Sequence, residues 1–401
     1  MKVLQLCHKP PKPSIDGGCI AMNNITEGLL KNKCKLKIIT IGTQKHPIKF
    51  DQINKNYLER TKMDGVFVDT KLNLVDAFSN LVTSDSYNIS RFFSPDFDSL
   101  LIKTLKEDSF DIIHLESLFM TPYIDSIRRN SSSKIILRSH NLEYMIWEKL
   151  ARKTINPAKK VYLNILSKQL KTYEINMLDK IDGIAAISLA DQLKYKNLGC
   201  EKPMTTIPFG ININNYESIN RKSSTTELNF FHLGSMDWKP NLEAVTWLLK
   251  EIWPELHNDF KNIKLHLAGR NMPSWILDDN VEGVLNHGEV ESASEFMNNN
   301  DIMLVPLLSA GGMRVKIIEG MALGKTVIST KVGAEGINYK DGENILIANN
   351  IEEFKQIIKM LMDHPEMVSS IGIKARELVS TYYDNKLITK NLIQFYKDVS
   401  K

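Results

Sequence analysis

Apolar and polar positions along the chain follow the order strand, helix, strand, in two successive series. Short apolar runs of the length expected for buried strands alternate with longer stretches of helical period. Such alternation is typical of parallel sheets covered by helices. The first series predicts strands at residues 2–7, 35–41, 110–115, 134–137, 182–187 and 204–207. The second predicts strands at residues 228–233, 264–267, 284–286, 302–307, 326–330 and 344–347.

The two series are separated by a change in composition. Residues 208–227 (PFGININNYESINRKSSTTE) are rich in Asn, Ser and Thr and have few apolar positions, as in an interdomain linker. We therefore predict an N-terminal domain at 1–207 and a linker at 208–227. A second domain follows at 228–384, and a separate terminal helix at 385–401.

Length and composition agree with two soluble domains. The 401 residues contain 43% hydrophobic and 24% charged residues, and the net charge of +4 is too small to indicate a nucleic-acid partner. The first apolar run is too short for a signal peptide, and no run approaches the ~20 apolar residues of a membrane span. Four scattered cysteines form no C-x-x-C pair, which favours reduced thiols over disulfides or a metal site. We expect a cytoplasmic protein.

A glycine-rich loop before a predicted helix is the strongest indication of a ligand. In PLLSAGGMRVKIIEGMALGKT, Gly311 and Gly312 precede a helix expected at 313–323, whose free N–H groups and positive dipole end attract anions. Arg314 and Lys316 place two cations in the first turn, where cations are otherwise disfavoured. The pattern therefore indicates a negatively charged ligand.

Two further positions extend this prediction. Glu319 shares a helix face with Lys316, so a phosphate and a polyol could be held side by side. Gly324 follows the helix, where a positive φ is expected.

Two features of the first series point to its own ligand contacts. Gly17 and Gly18 follow the first strand; they either let a backbone approach a ligand closely or simply form a turn before a helix. They do not form G-x-G-x-x-G, so a nicotinamide cofactor is not indicated. His140 falls just past a strand's carboxyl end, where open α/β sheets bind ligands. It either donates to a developing charge or a carbonyl, or caps the next helix through Asn141.

Two polar stretches keep alternative interpretations. Residues 149–180 are predicted to be helical and carry eight lysines and arginines against two acidic residues. They form either a solvated face or a surface that contacts an anionic membrane. Residues 44–109 look polar and irregular, and the motif YNISRFFSPDFDSLL at 87–101 leads into a helix. Their aromatic-rich part, 86–96, lines an acceptor site or belongs to a surface insertion.

Six motifs in this order resemble glycosyltransferases of family 4. The motifs are GG (17–18), SHN (139–141), PFGIN (208–212), GSMDWKPN (234–241), AGR (268–270) and PLLSAGGMRVKIIEGMALGKTVIST (306–330). The variants GSMDW…PN and GGMRVKIIE resemble a subgroup common in bacterial exopolysaccharide, O-antigen and capsule gene sets. The resemblance extends over essentially the whole chain.

The resemblance implies the GT-B fold, an α/β architecture of two doubly wound Rossmann-like domains facing a central cleft, with the last helix packing back on the N-terminal domain. It also implies retaining transfer of a sugar from a nucleoside-diphosphate sugar to a hydroxyl of a glycan or lipid-linked acceptor. No D-x-D lies in a suitable loop, because DFD at 96–98 is in the irregular stretch. We therefore expect no metal and no cofactor.

The family's motifs assign roles to individual residues. Glu319 matches the second glutamate of the family's E-x7-E motif and would bind the ribose hydroxyls. The other implied contacts are Arg314, Lys316 and Lys239 on the diphosphate, His140 on the donor sugar, Gly17 and Gly18 on the phosphates, and Glu335 near the base or ribose, unless Glu335 caps the next turn.

One position departs from the family pattern. The first glutamate of E-x7-E is replaced by Gly311, so its usual contact with the donor sugar is absent, although N–H groups of residues 310–312 could still reach the sugar. Asn212 stands where Asp is frequent. Three other functions stay open: a sugar-nucleotide epimerase of the same fold, a glycogen-synthase-like or sucrose-metabolising enzyme, and a non-catalytic nucleotide-binding scaffold, which only Gly311 favours.

Overall fold

The computed structural model describes residues 1–70, 87–217, 227–278, 280–309 and 312–401. The chain forms two compact units, residues 1–210 with 385–401 and residues 211–384. Residues 208–210 of the predicted linker thus belong to the first unit, and its described remainder, residues 211–217 and 227, belongs to the second. No helix in the described ranges is long and apolar enough to cross a bilayer.

The first unit is built on a seven-stranded parallel sheet with strand order β3-β2-β1-β4-β5-β6-β7. The order reverses between β1 and β4, and open sheets bind ligands at the carboxyl ends on either side of such a point. Its strands are β1 (Lys2–Cys7), β2 (Lys35–Gly42), β3 (Asp64–Phe67), β4 (Ile112–Glu116), β5 (Lys134–Ser139), β6 (Gly183–Ala186) and β7 (Met204–Thr206).

The helices of this unit connect successive strands, and the last one is contributed by the end of the chain. They are α1 (Gly17–Lys31), α2 (Lys55–Thr61), α3 (Tyr87–Ser90), α4 (Pro95–Glu107), α5 (Ile124–Asn130), α6 (Glu143–Lys153), α7 (Pro157–Leu178), α8 (Leu189–Asn197) and α16 (Asn385–Ser400), with 3-10 turns at Phe50–Gln52 and Leu118–Tyr123.

Helix α16 is held by close contacts with this unit. Asn385 Nδ2 donates to Asn24 O at 2.5 Å, and the hydroxyl of the fully buried Tyr396 lies 2.6 Å from His114 Nδ1. A Cβ on Gly28 of α1 would lie 2.0 Å from Thr389 Oγ1. The final helix therefore packs closely against α1 at Gly28, where a side chain would not fit.

Two predictions for this unit are wrong. The described part of residues 44–109 is not irregular before the helix expected at its end, because it contains α2 and the edge strand β3; the expected helix is α4. The segment 149–180 is not one helix: α6 ends at Lys153 and α7 begins at Pro157. Asn156 caps α7 by accepting from Lys159 N, and a proline fits only the first turn of a helix.

The second unit has a six-stranded parallel sheet with order β10-β9-β8-β11-β12-β13. Its strands are β8 (Leu228–Leu233), β9 (Ile263–Ala268), β10 (Val284–Gly288), β11 (Ile302–Val305), β12 (Thr326–Ser329) and β13 (Leu346–Ile347). Its helices are α9 (Lys239–Trp247), α10 (Trp253–Asp259), α11 (Ser274–Leu277), α12 (Ala293–Asn298), α13 (Val315–Ala322), α14 (Ile351–Asp363) and α15 (Glu366–Tyr382), with a 3-10 turn at Ile213–Asn215 and a π-helical segment at Leu248–Ile252.

Local details of this unit both agree with and differ from the sequence pattern. Gly324 has the expected positive φ, +73°. The sequence pattern predicts a helix at 242–252 with Asn241 as its N-cap, but the helix begins earlier, at Lys239, so Asn241 lies inside its first turn and does not cap it. The side chain of Asn241 instead points to the preceding loop, as described below.

Helix α15 crosses the chain just after α13 with no room between the backbones. A Cβ on Gly372 would lie 2.0 Å from the carbonyl oxygen of Gly324. We predict that Gly372→Ala, by pushing these two backbones apart, destabilises the second unit by roughly 1–3 kcal/mol. Calorimetric melting should show a lower Tm, whereas Lys374→Ala, on an exposed position of the same helix, should leave Tm unchanged. Equal melting of both variants would refute this close packing.

Candidate functional site

Lys316 is a half-buried cation whose hydrogen-bond partners among the described residues are neutral. Its Nζ donates to Leu233 O at 3.0 Å and to Asn241 Oδ1 at 2.9 Å. Within the described residues no carboxylate pairs with it. Burial, together with the nearby charge of Arg314, lowers the pKa of Lys316 to about 7. Since buried charges in proteins are normally paired, this ammonium is suited to an anionic ligand.

The loop after β8 is shaped around the same lysine. Asn241 is buried; its Nδ2 donates to Ser235 O at 2.9 Å while its Oδ1 accepts from Lys316. Gly269 lies against the start of this loop, because a Cβ there would be 1.8 Å from Gly234 O. The GSMDWKPN and AGR motifs thus bring two strand ends together without side chains between them.

Lys239 is the first residue of α9. Its side chain is exposed, and it makes no hydrogen bond or ion pair within the described part of the chain. It is a cation at a helix N-terminus, which is the position that the sequence indicates for a phosphate contact.

The glycine loop before α13 is described only in part. Gly312 has φ +71°, a conformation that glycine adopts without strain. Gly311 lies outside the described residues, so the predicted sugar contact of this loop stays a prediction.

Arg314 occupies a different environment from the one expected. It precedes α13 as N-cap, is 4% exposed, and donates to the carbonyl oxygens of Val332 (2.7 Å), Gly333 (3.0 Å) and Glu335 (3.2 Å). Burial lowers its pKa to about 10. These contacts fix the loop after β12. The sequence did not indicate this, because the carbonyl partners lie about 20 residues further along the chain.

Glu319 lies one turn after Lys316 on α13. It is half-buried, it accepts from Tyr216 Oη at 2.7 Å, and burial raises the pKa of its carboxyl. No cation pairs with it among the described residues. Glu335, 37% exposed at its side chain, has Oε2 4.0 Å from Arg314 Nη2. The observed partner of Glu319 is a single hydroxyl, so its carboxylate can accept further hydroxyl donors.

In the first unit, Gly17 and Gly18 begin α1. The helix is capped by Asp16, whose Oδ1 accepts from Cys19 N at 2.9 Å. Asp16 also accepts from Lys9 Nζ at 2.8 Å, and its Oδ2 lies 2.8 Å from His46 Nε2. Burial opposes ionisation of Asp16, but these bonds hold its pKa well below the usual value. The glycines therefore form a capped helix start that carries a cation, Lys9, beside it.

The same neighbourhood contains one cluster of potential metal ligands in the described ranges. Ligand atoms of Asp16, Cys19 and His46 lie within 4.8 Å of one another. The carboxylate of Asp16 is already neutralised by Lys9, and burial raises the pKa of the Cys19 thiol to about 11. Neither property suits a metal site, which needs a thiolate and a free carboxylate.

His140 follows β5, at the carboxyl edge of the sheet. Its Nε2 lies 2.8 Å from Glu116 Oε2 at the end of β4. It does not cap α6: there the N–H groups of Glu143 and Tyr144 donate to Glu174, at 3.1 and 3.0 Å. The alternative interpretation of His140 as a cap is wrong, because Glu174 of α7 supplies the acceptor.

Comparison with known proteins agrees with this geometry. Residues 227–364, which include Lys316 and Glu319, match the family described as "Glycosyl transferases group 1". Sucrose-phosphate synthase from Thermosynechococcus elongatus superposes with TM-score 0.72 at 14% identity, covering 100% of this chain and 99% of that one. The fold is GT-B.

Two further likenesses extend over most of the chain. Anabaena HepE in complex with UDP-glucose gives TM-score 0.66 at 15% identity, covering 99% of this chain and 100% of that one. A protein described as "Uncharacterized 44.6 kDa protein in cps region", from Klebsiella pneumoniae, is 23% identical over 357 residues, 86% of this chain and 87% of the relative. The family match and the GT-B fold together support a glycosyltransferase.

The sequence did not indicate three residues that contact the predicted site residues. Tyr216 lies in the predicted linker and meets Glu319 through a contact between distant parts of the chain. Lys9 lies in a proline-rich loop and bonds Asp16, seven residues further on. Glu116 is the last residue of the apolar strand β4, and only this position at the carboxyl end of a strand could have indicated it.

The pKa of Lys316 predicts how stability depends on pH. The folded-state pKa is about 7, against an ordinary value of 10.5, so between these values the unfolded chain binds a proton that the folded chain has lost. The wild type should therefore gain stability relative to Lys316→Met as the pH rises from 7 towards 10. Urea midpoints over this range measure the difference. Lys340→Met, at an exposed position, should run parallel to the wild type; a parallel Lys316→Met curve would contradict the shift.

Proposed function

We propose that this protein is a retaining glycosyltransferase that moves a sugar from a nucleoside-diphosphate sugar to a hydroxyl of a glycan or lipid-linked acceptor in bacterial surface polysaccharide synthesis. One observation carries the proposal. Within the part of the chain that the structure describes, an ammonium without a carboxylate partner, Lys316, lies three residues before a carboxylate without a cation, Glu319. A nucleoside diphosphate offers both complements, a polyanion and a ribose diol.

The difficult step in such a transfer is departure of the diphosphate, whose oxygens gain negative charge as the glycosidic bond breaks. Lys316, Lys239 and the N-terminus of α13 would stabilise that charge, as preorganised groups do without reorganisation of solvent. The charge of Arg314 adds to the local positive potential, while its hydrogen bonds hold the loop at 332–335 in place. These groups supply the function for which other transferases use a metal, so we propose turnover without metal or cofactor.

The remaining contacts follow the same division between phosphate and sugar. We propose that Glu319, with Tyr216 fixing its orientation, binds the ribose hydroxyls and that Glu335 lies near the base or ribose. The N–H groups at Gly17, Gly18, Gly311 and Gly312 would approach phosphate or sugar.

Relatives support the class of donor and the biological setting. HepE is described in complex with UDP-glucose, and the Klebsiella relative is described as a protein of a cps region. We propose a cytoplasmic enzyme, as expected for a protein that uses a soluble sugar nucleotide.

The transfer reaction can be tested with purified protein and a panel of UDP-glucose, UDP-galactose, UDP-N-acetylglucosamine and GDP-mannose in EDTA. We expect one donor to release its nucleoside diphosphate by slow transfer of its sugar to water, and Lys316→Ala to reduce this turnover by ~10²–10³-fold because it removes a charged contact at the leaving group. Lys340→Ala, an exposed lysine of the same unit, serves as the control.

Each other outcome has a distinct meaning for this test. An isomerised sugar nucleotide without release would indicate an epimerase. Binding without turnover would indicate a nucleotide-binding scaffold. Activity that requires added Mn²⁺ or Mg²⁺ would contradict metal independence.

The corner between α6 and α7 combines exposed apolar and basic side chains. Ile155 is 98% exposed at its tip, and the flanking exposed residues include Leu150 and Val161. Cations interleave with them at Lys149, Arg152, Lys153, Lys159 and Lys160. Apolar side chains that insert beside lysines that attract lipid phosphates are typical of interfacial helices. We propose that this corner binds an anionic membrane, where a lipid-linked acceptor would be found.

Vesicle co-sedimentation measures this binding. The wild type should sediment with phosphatidylcholine vesicles that contain phosphatidylglycerol and not with phosphatidylcholine alone. Lys159→Glu with Lys160→Glu should lower the bound fraction at least ~10-fold, since each cation contributes about 1 kcal/mol. The matched pair Lys359→Glu with Lys374→Glu reverses two exposed lysines in the second unit. Equal sedimentation of the two pairs would remove the proposal.

A further inference from the structure

Glu116 is a buried carboxylate at the point where the strand order of the first sheet reverses. It is 0% exposed and receives hydrogen bonds from Gln5 Nε2 at 2.9 Å and Arg138 Nη1 at 3.2 Å, with His140 Nε2 at 2.8 Å. Burial opposes ionisation, but the charge of Arg138 and the contact with His114 hold the pKa of Glu116 well below its usual range. The group is therefore a carboxylate, which can only accept hydrogen bonds.

This partner determines the tautomer of His140. Because the carboxylate only accepts, Nε2 of His140 must carry the hydrogen. Burial lowers the pKa of His140 below 6.5, so the ring is neutral at physiological pH and Nδ1 retains its lone pair. Within the described residues Nδ1 has no hydrogen-bond partner.

Neighbouring rings fix the plane of the imidazole. The rings of His8 and Phe209 meet it edge-on, with centroids 5.7 and 5.4 Å away. The imidazole is thus held by one charge-assisted bond and two edge-on ring contacts, and the direction of Nδ1 is set by the protein before any ligand binds.

We infer that Glu116 is a positioning residue that locks His140 as the Nε2–H tautomer, so that Nδ1 accepts a hydrogen bond from a hydroxyl of the bound sugar. This inference rests on the proposed function and reverses the expectation that His140 donates to a charge or carbonyl. It also predicts a substrate preference: a donor sugar whose hydroxyl faces Nδ1 of His140 binds better than the same sugar without that hydroxyl.

The charges around His140 give the pH dependence its sign. Glu116 favours its protonation, whereas Arg138 and Lys9 disfavour it, and the pKa of His8 is lowered to about 3 by burial, so His8 stays neutral. Protonation of His140 would turn Nδ1 from an acceptor into a donor. The kcat/KM for the donor should therefore fall as the pH drops through the pKa of His140, below 6.5.

The tautomer can be read in the free protein by ¹⁵N-histidine NMR, with His140→Gln identifying the signal of His140. We expect a protonated Nε2, which couples to both ring carbon-bound protons, and an unprotonated Nδ1 at pH 7.5. A protonated Nδ1 would overturn the inference whatever the enzyme does, since this measurement needs neither ligand nor turnover.

Two substitutions of His140 separate its two nitrogens and leave the buried Glu116–Arg138 pair intact. His140→Gln can keep an N–H towards Glu116 but has no acceptor where Nδ1 stood; His140→Asn can place its Oδ1 there. With the donor found in the panel above, His140→Gln should lose on the order of 10-fold in kcat/KM and His140→Asn less. The fall of kcat/KM at acidic pH should also be weaker in His140→Gln, because the titrating imidazole is absent.

The outcomes distinguish this inference from the function on which it rests. Turnover by the wild type with an unchanged His140→Gln, or with Asn poorer than Gln, overturns the role of Nδ1 alone. Absence of turnover with every sugar nucleotide overturns the proposed transferase and this role with it.

Discussion

The second unit is organised around one electrostatic constraint, an ammonium for which the described residues supply no counter-charge. Lys316 reaches from the first turn of α13 to the end of β8, where a backbone carbonyl and Asn241 take two of its three hydrogens. The close approach of Gly269 to Gly234 brings the strand ends together beside it. Neutral acceptors only partly offset the cost of desolvating a charge. A bound anion would therefore supply the missing counter-charge of Lys316. A ligand of this kind gives a reason for keeping a lysine whose pKa is about 7 in the unliganded fold.

In the first unit, by contrast, the buried charge is balanced by groups of the same unit. Its buried charge, the carboxylate of Glu116, is paired with Arg138 and surrounded by donors. These partners balance the charge of Glu116 without a ligand. Glu116 instead sets the orientation and the tautomer of His140. One unit thus offers a charge that a ligand must balance, and the other offers a neutral acceptor of fixed direction. On the proposed function, the charge in the second unit suits a phosphate, and the neutral acceptor in the first unit suits a hydroxyl.

Sequence patterns predicted the parts of this arrangement that depend on neighbouring residues. The βαβ unit around 302–330 was predicted because buried parallel strands are continuous apolar runs and Gly324 marks the end of the helix. The residues Asn156-Pro157 are a helix-start signal in the sequence. The break was nevertheless not predicted, because the apolar positions continue on both sides of it and suggest a single helix. The edge strand β3 was missed because an edge strand is only half covered and shows no continuous apolar run. Contacts between distant residues were beyond reach: Arg314 with the 332–335 carbonyls and Tyr216 with Glu319 both depend on the folded chain.

The measurement that tests the central claim most directly is calorimetric titration of the protein with UDP and with GDP at pH 8, in two buffers of different ionisation enthalpy. A diphosphate bound at Lys316 raises the pKa of the lysine, so the amine, largely neutral beforehand, should take up close to one proton per nucleotide bound. In Lys316→Met this uptake should vanish and the affinity should fall. Binding without proton uptake, or binding of equal strength in Lys316→Met, would contradict the account.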